Sequence, residues 1–109
     1  MDIRSQIFGS NDSLLPKDIV EAAEHCIEQN RIAGRKVALA ESCTGGLVAA
    51  ALTEIPGSSA VLDRSFVTYS NEAKQQLLGV PMDIIEAFGA VSIACVYAMV
   101  QGALELLLP

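Results

Sequence analysis

A short, continuous apolar run at residues 37–40 constrains the fold more than any other feature of this sequence. Such a run is typical of a strand that is buried on both faces of a sheet. Small and polar residues follow it at 41–46, and residues 47–54 are then mostly good helix formers, ended by Pro56 and Gly57. The pattern predicts a strand, a glycine-containing turn and a helix, which is the repeating unit of an α/β fold.

A second unit of the same kind follows. Residues 65–69 have the aromatic and β-branched composition of a strand, and Ser70 is suited to cap a helix over 71–78 that Gly79 ends. Apolar spacing predicts three more helices, over 17–33, over 81–88 and from the residue after Ser92 onwards.

The last helix carries an apolar stripe that needs a covering layer. Its members recur at three- and four-residue intervals: Ile93, Val96, Tyr97, Val100, Leu104 and Leu107. Two strands cannot cover this stripe together with the apolar faces of the other helices. We therefore expect that the sequence is a fragment or that another chain completes the layer.

Composition excludes several classes of protein. With 109 residues, 51% of them apolar and 18% charged, the chain has the size and polarity of one globular domain, expected over 14–109 after a flexible arm over 1–13. A net charge of -6 without basic clusters argues against nucleic acid as a partner. No apolar run approaches the roughly 20 residues of a membrane span, and the first residues lack a secretory apolar segment. We expect a cytoplasmic protein whose scattered cysteines, Cys26, Cys43 and Cys95, are reduced thiols rather than a metal site.

The residues that could perform chemistry exclude one familiar arrangement. His25 is the only histidine and lies mid-helix, which is typical of a surface position, so a Ser-His-Asp triad is not expected. Lys74 is an alternative base, because a Ser-Lys pair can perform acyl chemistry when burial lowers the pKa of the ammonium group. By itself, however, its position is more typical of a solvated helix lysine.

The residues alone do not decide the roles of the other candidates. Ser58 and Ser59 are typical of turn residues, and Ser42 and Thr44 are typical of helix caps. A role in ligand binding is the alternative for each of these four residues. The glycine-containing turn over 42–46 can present backbone N–H groups to an anion. Tyr69 ends a strand where α/β sites open. Glu41 could be an acid, a base or a structural acceptor for turn amides.

Four motifs in this order resemble the C-terminal domain of CinA: AESCTGG, PGSSAV, FVTYSNEAK and LLGV, within residues 37–80. The resemblance implies a three-layer α/β/α sandwich. It also implies an amidase that converts nicotinamide mononucleotide to nicotinate mononucleotide and ammonia without a metal or redox cofactor. The expected partners are this nucleotide and further copies of the chain, in a homo-oligomer.

The resemblance assigns roles to individual residues. Ser59 corresponds to the family's nucleophile and Lys74 to its base, with Tyr69 and Ser42 nearby. The matching turns add further substrate-binding candidates: Thr44, Gly45, Gly46, Gly57 and Ser58.

The sequence departs from the family in two ways. Ser65 stands where relatives usually have glycine, which puts the local packing in question. Relatives also continue into a further strand and a glycine-rich loop, so that the resemblance covers roughly the first two-thirds of a family domain. We expect an incomplete sandwich that lacks the later strands. The alternative to an amidohydrolase is a truncated, non-catalytic remnant or partner module that acts by association.

Overall fold

The computed structural model describes residues 13–108, which form five α-helices and two strands. In chain order these are α1 Lys17–Ala33, β1 Val37–Glu41, α2 Leu47–Thr53, β2 Leu62–Val67, α3 Asn71–Leu78, α4 Met82–Phe88 and α5 Ile93–Leu107. A short 3₁₀ turn, Ser58–Ala60, precedes β2. The predicted α/β class is confirmed. Apart from Ser13, the predicted arm over 1–13 lies outside the described residues.

The helix ends follow local signals in the sequence. The Ser70 hydroxyl accepts a hydrogen bond from the amide of Ala73, and the Ser92 hydroxyl accepts one from the amide of Cys95. Gly79 ends α3 with a φ of 68°, in the left-handed region that glycine adopts without strain. The predicted bounds of α1 and α3 and the predicted start of α5 are confirmed, while α2 and α4 are each one residue shorter than predicted.

The bounds predicted for the second strand were wrong. The strand was expected over 65–69, but β2 spans Leu62–Val67, so that Thr68 and Tyr69 follow it. Its first half contains the exposed, charged Asp63 and Arg64, which local composition does not mark as strand. Pairing with β1 sets its extent instead, and the amide of Thr68 donates to the carbonyl of Glu41 at 2.8 Å where both strands end.

The chain divides into two compact units. Of the described residues, the first unit comprises 13–36 and 49–62, and the second comprises 37–48 and 63–108. In the first unit, Ile27 of α1 and Leu52 of α2 are buried, and the Lys36 amine donates to the carbonyl of Ala60 at 2.9 Å. The second unit contains β1, most of β2 and the last three helices.

The core of the second unit lies where α5 packs against β1, α3 and α4. Its buried members are Leu78, Val80, Ile85, Cys95, Met99 and Ala103. Gly102 is part of this contact, because a Cβ atom at this position would lie 2.0 Å from the carbonyl oxygen of Leu78. The backbone of α5 therefore lies directly against the end of α3.

The apolar stripe predicted on α5 is not the face that packs. The buried positions of this helix are Cys95, Met99, Gly102 and Ala103, while the predicted stripe is largely exposed. Small residues allow close approach of the helices, and this contact, rather than side-chain hydropathy, decides which face is buried. The large apolar side chains of the predicted stripe are therefore left largely exposed in the structure of residues 13–108.

Candidate functional site

A cavity of about 610 Å³ opens in the second unit beside the carboxyl end of β1. Its polar end is lined by Ser42, Cys43, Thr44, Tyr69, Asn71 and Lys74. Its apolar end is lined by Leu39, Val96, Met99 and Val100. Ligand sites of α/β proteins open at the carboxyl ends of strands, and pockets for small molecules enclose about 300–1,000 Å³. Position and size make this cavity the candidate site.

Lys74 is held inside the protein. The residue is only 3% exposed, and its amine donates to the carbonyl oxygen of Tyr69 at 2.8 Å. Its place in the first half of α3 directs the side chain back over the loop that follows β2. The solvated-lysine interpretation is therefore wrong, and a buried amine lies at the polar end of the cavity.

Tyr69 contributes to the site in two ways. Its carbonyl holds the Lys74 amine, and its side chain, 75% exposed, lines the polar end of the cavity. Ser70 fixes the loop by capping α3, and its carbonyl accepts the amide of Lys74 at 3.1 Å. Tyr69 and Lys74 are thus positioned by one short, hydrogen-bonded segment.

Glu41 serves as a structural acceptor, one of the three roles left open by the sequence. Its side chain is buried, at 4% exposure, and Oε1 accepts hydrogen bonds from the Thr44 hydroxyl at 2.7 Å and from the Val48 amide at 2.9 Å. Oε2 accepts one from the Ser65 hydroxyl at 3.3 Å. Ser65 therefore adds a donor to a buried carboxylate, which accounts for a side chain at this position.

The turn over 42–46 is held by hydrogen bonds of its own backbone and of the start of α2. The amide of Gly45 donates to the carbonyl of Ser42, that of Leu47 to the carbonyl of Thr44, and that of Val48 to Glu41. These three N–H groups are engaged within the protein, and an anion site formed by the other amides of the turn stays a prediction. Gly45 and Gly46 have φ values of 61° and 101°, which glycine alone adopts readily.

The structure brings together four of the predicted site residues in the second unit: Ser42, Thr44, Tyr69 and Lys74. The other serine motif belongs to the first unit, where Gly57 has a φ of 84° and the buried Ser58 hydroxyl donates to the carbonyl of Thr53 at 3.5 Å. Ser59 is exposed on the same 3₁₀ turn. Its role as nucleophile, and the binding roles of Gly57 and Ser58, stay predictions.

Asn71 lines the polar end and was missed in the sequence. The signal was available, because Asn71 lies between Tyr69 and Lys74 and directly follows the capping serine of α3. His25 is exposed, as expected. Over residues 13–108, no three His, Cys, Asp or Glu side chains are grouped to hold a metal ion. Within that same range, no helix has the length and apolarity that crossing a membrane requires.

Comparison with known proteins relates the chain to one family. The family model described as the CinA C-terminal domain matches residues 19–108. A CinA-like protein of Anaeromyxobacter sp. (strain K) is 46% identical over 100 residues, which cover 90% of this chain and 22% of that protein. The chain thus spans less than a quarter of this relative's length.

Solved structures agree with this match. The competence/damage inducible protein CihA of Agrobacterium tumefaciens superposes with a TM-score of 0.85 at 53% identity, over 87% of this chain and 58% of that one. A CinA superfamily protein of Escherichia coli gives a TM-score of 0.81 at 28% identity, over 98% of this chain and 61% of its own.

Proposed function

Because the chain belongs to the CinA C-terminal domain family, we propose that it is an amidohydrolase of nicotinamide mononucleotide that works by a Ser-Lys mechanism. The reaction adds water to the carboxamide and gives nicotinate mononucleotide and ammonia. One observation carries the proposal: a buried lysine amine, bonded only to a backbone carbonyl among the interactions described, at the polar end of a cavity of ligand size.

The proposed chemistry addresses the low reactivity of amides. The Ser59 hydroxyl attacks the carboxamide carbon while the Lys74 amine accepts the hydroxyl proton. The same proton passes to the leaving nitrogen as the C–N bond breaks, which releases ammonia and leaves an ester on Ser59. Water, deprotonated by Lys74, then hydrolyses the ester and restores the serine.

The geometry of Lys74 supports its role as base. A base has to be held close to the reacting groups in a site from which water can be excluded, and this amine is buried and fixed by the Tyr69 carbonyl at 2.8 Å. Ser42, Tyr69 and Asn71 offer polar groups to a nucleotide from the same end of the cavity. The Glu41 carboxylate already accepts hydrogen bonds from Thr44, Val48 and Ser65 and is not assigned to proton transfer.

The test is ammonia release from nicotinamide mononucleotide by the purified chain. We expect turnover by the wild-type chain and its abolition in Ser59→Ala, with the melting temperature unchanged because Ser59 is an exposed turn residue. Thr53→Ala, which removes an exposed hydroxyl from the same unit, is the matched control and should stay active. Equal turnover in Ser59→Ala would exclude this serine as the nucleophile.

A second candidate function is association without catalysis. It is favoured by the exposed apolar face of α5, where Ile93, Val96 and Tyr97 are all more than half exposed. In that case, ammonia release by the wild-type chain should not exceed that of Ser59→Ala, and both chains should still bind a partner.

A further inference from the structure

The hydroxyl group of Thr68 is buried without a hydrogen-bond partner. Thr68 is 0% exposed, and within residues 13–108 its Oγ1 is the buried side-chain oxygen or nitrogen that has no partner. Burying a hydroxyl in this way costs free energy, and valine has nearly the same shape without that cost. Because Thr68 has no exposed surface, the described residues themselves enclose it. The hydroxyl therefore indicates a role other than packing.

Hydrogen bonds fix the backbone around Thr68. Its amide donates to the carbonyl of Glu41 at 2.8 Å, where β1 and β2 end side by side. The next carbonyl, that of Tyr69, accepts the Lys74 amine at 2.8 Å, and the carbonyl of Ser70 accepts the Lys74 amide at 3.1 Å. Thr68 thus directly precedes the short segment that holds Lys74.

The side chains of Thr68 and Lys74 face the same interior space. Pairing with Glu41 extends the alternation of β2 to Thr68, so Thr68 shares the face of Phe66. Phe66 packs against the core cluster that contains Leu78. Leu78 lies four residues after Lys74, and both are buried, so they lie on one face of α3. The hydroxyl and the amine therefore both lie between β2 and α3.

A lysine amine that takes up a proton needs an additional acceptor. The ammonium group has three N–H donors, whereas the Lys74 amine donates to the Tyr69 carbonyl alone among the interactions described. The Glu41 carboxylate already accepts hydrogen bonds from its own turn. The Thr68 oxygen is unpartnered, and a hydroxyl oxygen can accept hydrogen bonds. The flexible stem of a lysine allows a small movement of the amine towards it.

We propose that Thr68 is a positioning residue, whose hydroxyl accepts a hydrogen bond from the Lys74 ammonium once the amine has taken up a proton. This proposal rests on the proposed function, in which Lys74 is the base. The other N–H groups of the ammonium bind the Tyr69 carbonyl and pass a proton to the leaving nitrogen. Because the bond forms only with the charge, it stabilises the transition state more than the bound substrate, and it affects kcat rather than KM.

Thr68→Val removes the hydroxyl and keeps the shape of the side chain. We expect kcat for ammonia release to fall about tenfold or more, with KM changed by less than about twofold, because hydrogen bonds to charged groups are the stronger ones. The melting temperature should equal or exceed that of wild type, since a buried, unpaired hydroxyl is lost. Thr68→Ser keeps the hydroxyl and should recover most of kcat. Thr53→Val, at an exposed threonine of α2, is the matched control and should keep wild-type kcat.

A second measurement does not require turnover. The lysines of the chain are Lys17, Lys36 and Lys74, so ¹⁵N labelling of lysine gives few amine signals in an NMR spectrum, and Lys74→Met identifies that of Lys74. With the amine protonated by acid titration, the Lys74 Nζ signal should shift in Thr68→Val and return in Thr68→Ser. The signals of Lys17 and Lys36 should stay in place. If the wild-type chain releases no ammonia, the proposed function fails, and the Lys74 signal still tests the contact with Thr68.

Three results would overturn the proposal. The first is wild-type kcat in Thr68→Val, and the second is a folded Thr68→Ser protein in which kcat is not recovered. The third is a Lys74 signal that Thr68→Val does not move. A lower melting temperature of Thr68→Val with unchanged kcat would assign the hydroxyl to a structural bond, such as one to an internal water molecule.

Discussion

At the scale of the residue, Lys74 is the most informative side chain. A lysine is almost never fully buried without a partner, and here the amine donates to the Tyr69 carbonyl beside a cavity of ligand size. Burial removes the flexible, hydrated amine of Lys74 from water, and an apolar side chain could fill the same space without that cost. The position fits the proposed role of Lys74 as a base, and a structural role is the alternative.

The substitution Lys74→Met separates these two explanations. It keeps much of the apolar stem and removes the amine, so turnover of nicotinamide mononucleotide should fall by about 10²-fold or more. Stability should change little, because one hydrogen bond to a carbonyl contributes about 1 kcal/mol. Lys17→Met, at an exposed lysine of α1, is the control for loss of charge. A Lys74→Met protein that simply unfolds would indicate a structural lysine instead.

Glu41→Gln tests the structural role of the buried carboxylate. The glutamine amide keeps the size of the side chain but replaces one acceptor oxygen by a donor that would face the Thr44, Val48 or Ser65 donors. We expect a loss of about 1–3 kcal/mol in the free energy of unfolding, measured by urea titration. Glu86→Gln, at an exposed glutamate of α4, should be neutral. Unchanged stability with lost turnover would return Glu41 to the role of acid or base.

At the scale of the element, local signals and long-range contacts determine different things. Ser70, Gly79 and Ser92 set helix ends through bonds to neighbouring residues, so the sequence was sufficient to locate them. The bounds of β2 depend on a partner distant in sequence, and the prediction was wrong there. Likewise, the FVTYSNEAK motif indicated Lys74, but the burial of Lys74 and the hydrogen bonds to the Glu41 carboxylate depend on neighbours that only the fold provides.

The contact between α3 and α5 shows why hydropathy alone did not identify the face of α5 that packs within the structure. Leu104 and Val100 are more apolar than Gly102, yet Gly102 is the buried position, because the Leu78 carbonyl lies where a Cβ atom would be. Close approach of two backbones requires the absence of a side chain. The spacing of apolar residues along the sequence does not indicate that a side chain has to be absent at this position.

Gly102→Ala should therefore destabilise the protein. Alanine improves helix propensity by about 1 kcal/mol, but its Cβ would lie 2.0 Å from the Leu78 oxygen, and a backbone atom cannot move aside as a side chain does. Overpacking of this kind typically costs about 1–3 kcal/mol, so the melting temperature should fall. Gln101→Ala, at an exposed position of the same helix, is the matched control. A Gly102→Ala protein at least as stable as wild type would show that the helices can separate freely.

At the scale of the whole molecule, the main feature is an exposed apolar surface on α5. Ile93, Val96, Tyr97, Val100 and Leu104 are each about half exposed or more, on one helix. A second cavity of about 620 Å³, lined in part by Ile84, Ile93 and Tyr97, extends this surface along α4 and α5. Large contiguous apolar patches of this kind mark interaction surfaces.

The isolated chain should consequently self-associate or be only marginally folded. Each large apolar side chain left in water forfeits about 1.5–3 kcal/mol, against about 5–15 kcal/mol for the total stability of a domain. Light scattering should show mass that rises with concentration, or thermal melting should show a low, broad transition with binding of a hydrophobic dye. A sharply melting monomer that binds no dye in the absence of any partner would contradict this expectation, since it would mean that these side chains are covered within the chain itself.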